Sequence, residues 1–167
     1  MMEERSGAQH QYVGGMLYAM AYSTVRHNRI AFNTSRKLAD AGDDGPCRVY
    51  ISDVRVQIGT VYYYPEVMVA CEPPETENPR LRTNPCLVVE VLPASSESIV
   101  RREKLLAYRG VSTVETYLII HQDMRRFERH YRGDDDDWHR ADHVRDGYIP
   151  VPCPGLKLTL EDICREL

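Results

Sequence analysis

The sequence predicts an α/β (α+β) fold, a mixed β-sheet flanked by helices. Three observations carry that expectation. The run Cys86-Leu87-Val88-Val89-Glu90-Val91-Leu92 is almost unbroken in apolar residues and reads as a strand covered on both faces. A helix-patterned segment and a second apolar run, Glu115 to His121, follow it. A hairpin pattern precedes it, and a helical pattern precedes the hairpin. The order is helix, three strands, helix, strand, which closes as a mixed sheet with helices on its faces.

Residues 1 to 11 are polar, and the spacing predicts loose order there. Met16 to Met20 is a short apolar run. Ser23 is a good N-cap, and Val25, Ile30, Ala31, Leu38 and Ala39 recur at roughly helical spacing from Thr24 to Ala41. Gly42 offers the stop, and Asp43 to Pro46 is a turn cluster. Val49, Ile51, Val54, Val56 and Ile58 then mark an extended strand, with an irregularity at Ser52-Asp53. Gly59-Thr60 turns the chain, and Val61 to Cys71 returns as a hairpin partner. Pro65 must break that ladder or sit at an edge, because it has no N–H to donate.

Glu72 to Pro85 is rich in proline and polar residues and reads as a long loop. Pro93 ends the apolar strand, and Ser95 or Ser96 caps a helix running to about Arg109, where Gly110 stops it. Arg125 to Arg132 and Trp138 to His143 form an expected hairpin around the acidic tip Asp134 to Asp137. Gly147 to Pro154 reads as turns, and Leu160 to Leu167 as a short closing helix.

A chain of 167 residues suits one domain spanning 1–167. Its hydrophobic fraction of 43% and charged fraction of 28% are those of a globular protein. The formal net charge of −4 excludes a generally basic nucleic-acid binder, so contact with DNA needs a local basic face. The five cysteines are odd in number, and none are at C-x-x-C spacing. That argues against a disulfide framework and a zinc ribbon, and for reduced thiols in a cytoplasmic protein. No signal peptide is visible, and no stretch approaches the ~20 apolar residues of a membrane helix.

Glu90 is the anomaly. A carboxylate inside Leu-Val-Val-Glu-Val-Leu stands where burial is expected, and an unpaired buried charge costs several kcal/mol. It needs a cation, a metal, a proton or hydrogen bonds; the plainer alternative is a strand-end Glu paired with an arginine. Glu66 follows Pro65 at a strand break. If its strand neighbours that of Glu90, two carboxylates converge, and two hard oxygen donors suit Mg²⁺ or Mn²⁺. Lys104 lies on the helix that leaves the Glu90 strand and can reach back over it. By charge pattern alone, though, it is one surface residue in Arg101-Arg102-Glu103-Lys104. His139 and His143 lie four apart, but on a strand that spacing gives a shared face without convergence. The arginines 101, 102, 109, 125, 126, 129 and 132 offer a local phosphate-contacting face.

The segments Tyr64-Pro65-Glu66, Leu87 to Leu92, Ser95-Ser96, Arg102-Glu103-Lys104, Ala107-Tyr108-Arg109 and Glu115 to Ile120 together form a recognisable pattern. They resemble the Uma-type restriction endonuclease family of the PD-(D/E)XK nuclease superfamily, from about Gln11 to the C-terminus. His27-Asn28-Arg29-Ile30 and Asn33 share the resemblance. It implies a restriction-endonuclease-like αβββαβ core and a magnesium-dependent DNA endonuclease acting in the cytoplasm. Glu66 and Glu90 would be the metal-binding acids, with Lys104 as the catalytic lysine, moved from the strand position of Leu92 to the following helix. Cutting both DNA strands implies a homo-oligomer, a dimer first, for which Tyr62-Tyr63-Tyr64 offers exposed aromatic surface. The chain also departs from the family pattern. Glu66 replaces the usual Asp, Gln11 and Gly14 stand where many relatives carry acids, and Val100 and His121 where they often carry Asp. The alternative reading is therefore a weakened or inactive nuclease-fold module used in nucleic-acid binding or assembly.

Overall fold

The structure, a computed structural model, describes residues 10–13, 16–19, 24–42, 45–71, 78–92, 100–144, 147–165 and 167. The chain opens with the hairpin β1 (His10–Val13) and β2 (Met16–Ala19). His10 and Gln11 are therefore strand residues, where loose order was expected; residues 1–9 lie outside the described ones. Helix α1 (Val25–Gly42) follows where its periodicity places it. The Thr24 hydroxyl accepts the His27 N–H at 3.1 Å, so Thr24 satisfies one of the helix's orphan donors. Ser23, the expected cap, lies outside the described residues.

The expected hairpin is split between two sheets. Its first strand is β3 (Arg48–Ile51) and β4 (Arg55–Ile58), and the returning one is β5 (Val61–Tyr63) and β6 (Val67–Ala70). β4 pairs with β5 in one sheet, and β3 pairs with β6 in the other. The crossing points are the two irregularities visible in the sequence. Ser52 has φ of +46°, which turns the outgoing strand, and Tyr64-Pro65 leaves the ladder on the return. After β7 (Leu81–Arg82) comes β8 (Pro85–Leu92), with all eight residues buried. A π-helical turn, Val100–Lys104, runs straight into α2 (Leu105–Arg109). Then come β9 (Thr116–His121), β10 (Arg126–Arg132) and β11 (Trp138–Val144). The expected turn region after Gly147 is in fact a hairpin, β12 (Tyr148–Val151) with β13 (Leu156–Thr159), before α3 (Leu160–Ile163).

The larger sheet has the order β11-β10-β9-β8-β6-β3, and the smaller has β2-β1-β5-β4-β7. β8 and β9 are parallel, as the helical connection between them requires, and their neighbours β6 and β10 are antiparallel to them. Alternation sorts the large sheet's side chains between two cores. Val67, Leu87, Val89, Val91, Leu118, Ile120 and Phe127 pack against Ile30 and Leu38 of α1 and the C-terminal elements. Met68, Val88, Leu92, Tyr117 and Ile119 face Tyr63 and Val56 of the small sheet and Tyr108 of α2. Among the described residues, no helix is long and apolar enough to cross a membrane.

Two disulfides, Cys47–Cys71 and Cys86–Cys153, correct the expectation of five reduced thiols. Sheet register explains the first. Arg48 pairs with Ala70, so one step outward Cys47 faces Cys71. Spacing in sequence does not reveal such cross-strand neighbours.

Candidate active site

β8 turns alternate residues to opposite faces, and Glu90 shares the α2 face with Val88 and Leu92. It is 3% exposed. Lys104 sits at the end of the π-helical turn and is 5% exposed, while Arg102 two residues before it faces solvent. Lys104 is thus turned inward, unlike the surface lysine its charged neighbourhood suggests. Its Nζ donates to Glu90 Oε1 at 2.8 Å.

Glu66 ends the Pro65 break, and its carbonyl accepts the Ser52 N–H at 3.2 Å. β6 pairs with β8 through Val67 and Val89, so the next step of the same register sets Glu66 opposite Glu90. The Glu66 charge is close enough to act on the Glu90 carboxyl. Burial raises the Glu90 carboxyl above its ordinary value; the Lys104 cation opposes this, the Glu66 charge adds to it, and His27 opposes it.

His27, given no role from the sequence, completes the group. It sits in the first turn of α1 and is 6% exposed. Its Nε2 lies 3.0 Å from the Val91 carbonyl oxygen and 3.3 Å from Glu66 Oε1. Burial lowers its pKa, but the hydrogen bond to Glu66, that carboxylate's charge, the Val91 carbonyl and Glu90 together outweigh burial and raise it. One signal was available. The buried positions 27, 30, 34 and 38 of α1 follow helical spacing, which puts His27 on the inward face.

The same sheet level continues past Glu90. Glu90 pairs with Ile119, Ile119 with Glu128, and Glu128 with Asp142, so paired positions carry acids on three of the four strands from β8 to β11, and Glu66 extends the row one residue before β6. Glu128 is 1% exposed. Its carboxylate lies 2.9 Å from His121 Nε2 and 3.4 Å from guanidinium nitrogens of Arg126 and Arg140. Arg126 and Arg140 also hold Asp142, whose carboxyl falls to about 2 mainly through its hydrogen bond from Arg140. The acids on the β10–β11 side are thus matched by arginines. On the β6–β8 side, two carboxylates share one lysine and one histidine.

Other sequence candidates land elsewhere. The Gln11 backbone pairs with Tyr18 in the β1–β2 hairpin, and Gly14, Ser95, Ser96 and the side chains of Val100 and Arg101 lie outside the described residues. His121 joins Glu128. His139 bonds the Asp135 carboxylate at 2.9 Å on the β10–β11 tip. Of the arginine face, Arg102 and Arg125 are exposed. Arg109 and Arg132 lie over the Trp138 ring, Arg129 lies over Tyr131, and Arg126 is ion-paired. Tyr63 is not the exposed aromatic expected. It is 3% exposed, with its ring centroid 5.6 Å from that of Tyr108, because β5 is the central strand of the small sheet and Tyr63 belongs to the core shared with Met68, Val88 and Tyr108.

The comparisons with known proteins agree with this fold. The family model Uma2, described as "Putative restriction endonuclease", matches residues 1–162. Two uncharacterised proteins of Synechocystis sp. are similar to the chain. Protein slr1290 is 30% identical over 167 residues, covering 99% of this chain and 88% of its own length. Protein sll1609 is 33% identical over 140 residues, covering 81% and 79%. A crystal structure from Anabaena variabilis, described as "a putative nuclease belonging to DUF820", superposes with a TM-score of 0.78 at 15% identity. It covers 95% of this chain and 91% of its own.

Proposed function

Because the chain belongs to the Uma2 family, we propose that it is a metal-dependent endonuclease that hydrolyses phosphodiester bonds in DNA. Glu66 and Glu90 are the metal ligands and Lys104 the catalytic lysine of this reading. The observation that carries it is Glu90, a buried carboxylate register-opposite a second carboxylate, with a lysine at 2.8 Å. The donors fit Mg²⁺ or Mn²⁺: both are hard carboxylate oxygens, and their mutual repulsion is what a divalent cation relieves. When bound, the cation supplies Lewis-acid polarisation of the phosphate and offsets its charge.

The protein's own groups do the rest. Lys104 holds a proton-bearing nitrogen at Glu90, where it can follow charge developing on a phosphate oxygen. His27 orients the Glu66 carboxylate from the α1 side. The buried surroundings of Glu90 exclude water and so strengthen each of these interactions. Because one such site cuts one strand, the reading includes a homodimer with two sites.

The second reading, a nuclease-fold module without turnover, is favoured by a different feature. Each carboxylate already has a protein partner, Lys104 for Glu90 and His27 for Glu66. Supercoiled plasmid separates the two. The proposal expects nicking that requires Mg²⁺ or Mn²⁺, stops in EDTA, and is lost in Glu90→Ala. Lys104→Ala should lower the rate by roughly 10²–10³, the usual cost of losing one charge-stabilising donor. Wild-type protein that leaves plasmid intact with either metal supports the second reading.

A further inference from the structure

Four cysteines from four separate segments meet at one end of the large sheet. Cys47 precedes β3, Cys71 follows β6, Cys86 is the second residue of β8, and Cys153 lies in the turn between β12 and β13. Besides the bonded pairs, Cys71 Sγ lies 3.4 Å from Cys153 Sγ and 3.7 Å from Cys86 Sγ, and Cys47 Sγ lies 4.0 Å from Cys153 Sγ. The sulfurs of Cys47, Cys71 and Cys153 all lie within 4.8 Å of one another.

Two independent crosslinks need no such crowding, since each is complete with its own two sulfurs. A tetrahedral cation does need it. Metal–sulfur bonds of ~2.3 Å set the ligand sulfurs about 3.8 Å apart, and the Cys71–Cys153, Cys71–Cys86 and Cys47–Cys153 separations bracket that value. In the disulfide form Cys86 stands outside the compact group of Cys47, Cys71 and Cys153, so it is the ligand that must close on Cys47 when the metal binds. Sulfur donors are soft and select zinc over magnesium. Cys86 is buried while Cys71 is exposed, so the cluster has an inner wall and an open side through which an ion can enter.

We propose that Cys47, Cys71, Cys86 and Cys153 form a tetrathiolate site for one Zn²⁺ in the reduced protein. The two disulfides are its oxidised, metal-free form. Reduction by two equivalents of a dithiol breaks both S–S bonds, each taking two electrons and two protons. Zn²⁺ then displaces the four thiol protons. The site ties β3, β6 and β8 to the β12–β13 turn. It lies at the far end of β8 from Glu90, four residues or about 13 Å along the strand. The protein thereby keeps a soft-donor end and a hard-donor end on one strand.

The test uses full-length protein reduced with dithiol, stripped of metal and titrated anaerobically with Co²⁺. The expected result is one Co²⁺ per chain, with thiolate-to-cobalt charge-transfer absorption and the intense visible bands of a tetrahedral ion. Zn²⁺ should displace it, and X-ray absorption of the zinc form should show four sulfurs at about 2.3 Å. Cys71→Ser should lose the charge-transfer band or weaken binding at least tenfold, while Cys164→Ser keeps both. Co²⁺ bound only through oxygen at the carboxylates gives no charge-transfer band, so failure here is distinguishable from failure of the nuclease reading. Reduced wild-type protein with four freely reactive thiols and no such band, or disulfides that persist in dithiol, overturns the proposal.

Discussion

Glu90 and Lys104 each pay a desolvation cost that the other offsets, and the cost of separating them follows from that. With both nearly inaccessible and 2.8 Å apart, removing one leaves an uncompensated buried charge. Lys104→Met is expected to destabilise the fold by about 3–5 kcal/mol in urea unfolding. Adding Glu90→Gln should recover most of the loss, because the orphan charge is gone. A single variant that loses under about 1 kcal/mol means the pair is solvated. Of these two residues the local pattern singled out one, and the family resemblance supplied the other. Glu90 breaks an apolar pattern and so stands out. Lys104 looks like its charged neighbours, and only the path of the π-helical turn makes it inward-facing. His27 gives a pH signature. Its folded pKa is raised above 6.5, so its contribution to stability is fully present below that value and is lost as pH rises through the raised one. Wild-type stability should therefore fall over the pH range just above 6.5 more than that of His27→Gln, measured by thermal unfolding across pH. Parallel profiles would show that the ring is not coupled to Glu66.

At the scale of elements, α2 is short and is held by what it packs against. Tyr108 is fully buried between Tyr63 and Tyr117, with ring centroids 5.6 and 5.2 Å away. Among the described residues, its hydroxyl has no hydrogen-bond partner. Burial and the nearby Glu90 charge push its pKa well above the ordinary tyrosine value. Tyr108→Phe removes an unsatisfied buried polar atom and keeps the ring packing, so it should raise stability by on the order of 1 kcal/mol. Destabilisation by that amount would mean the hydroxyl is bonded. The elements most legible in the sequence were those with one dominant pattern, the helical spacing of α1 and the unbroken apolar runs of β8 and β9. The β3–β6 segment was legible only in its interruptions, since Ser52-Asp53 and Pro65 marked breaks without saying that the chain changes sheets there. β12 was hidden by prolines. Ile149 and Val151 are buried and Tyr148 and Pro150 exposed, a strand alternation, but Pro150 among turn residues reads as a loop. In a two-stranded sheet proline costs little, because its strand has a free edge.

At the scale of the molecule, the candidate site depends on register between distant segments. Glu66 comes from the break before β6, Glu90 from β8, Lys104 from the helical crossover and His27 from α1. No local pattern contains that arrangement. It arises because β6 is antiparallel to β8 while β8 is parallel to β9, which leaves the crossover helix over the face that carries Glu90. The cysteine cluster arises in the same way at the other end of β6 and β8, and was equally invisible in spacing. The proposed nuclease chemistry requires one divalent metal between Glu66 and Glu90. Crystals soaked in Mn²⁺ and measured at the manganese absorption edge test it directly. An anomalous peak is expected about 2.0–2.3 Å from a carboxylate oxygen of each residue. Carboxylates still closed on Lys104 and His27, with no peak between them, would contradict it.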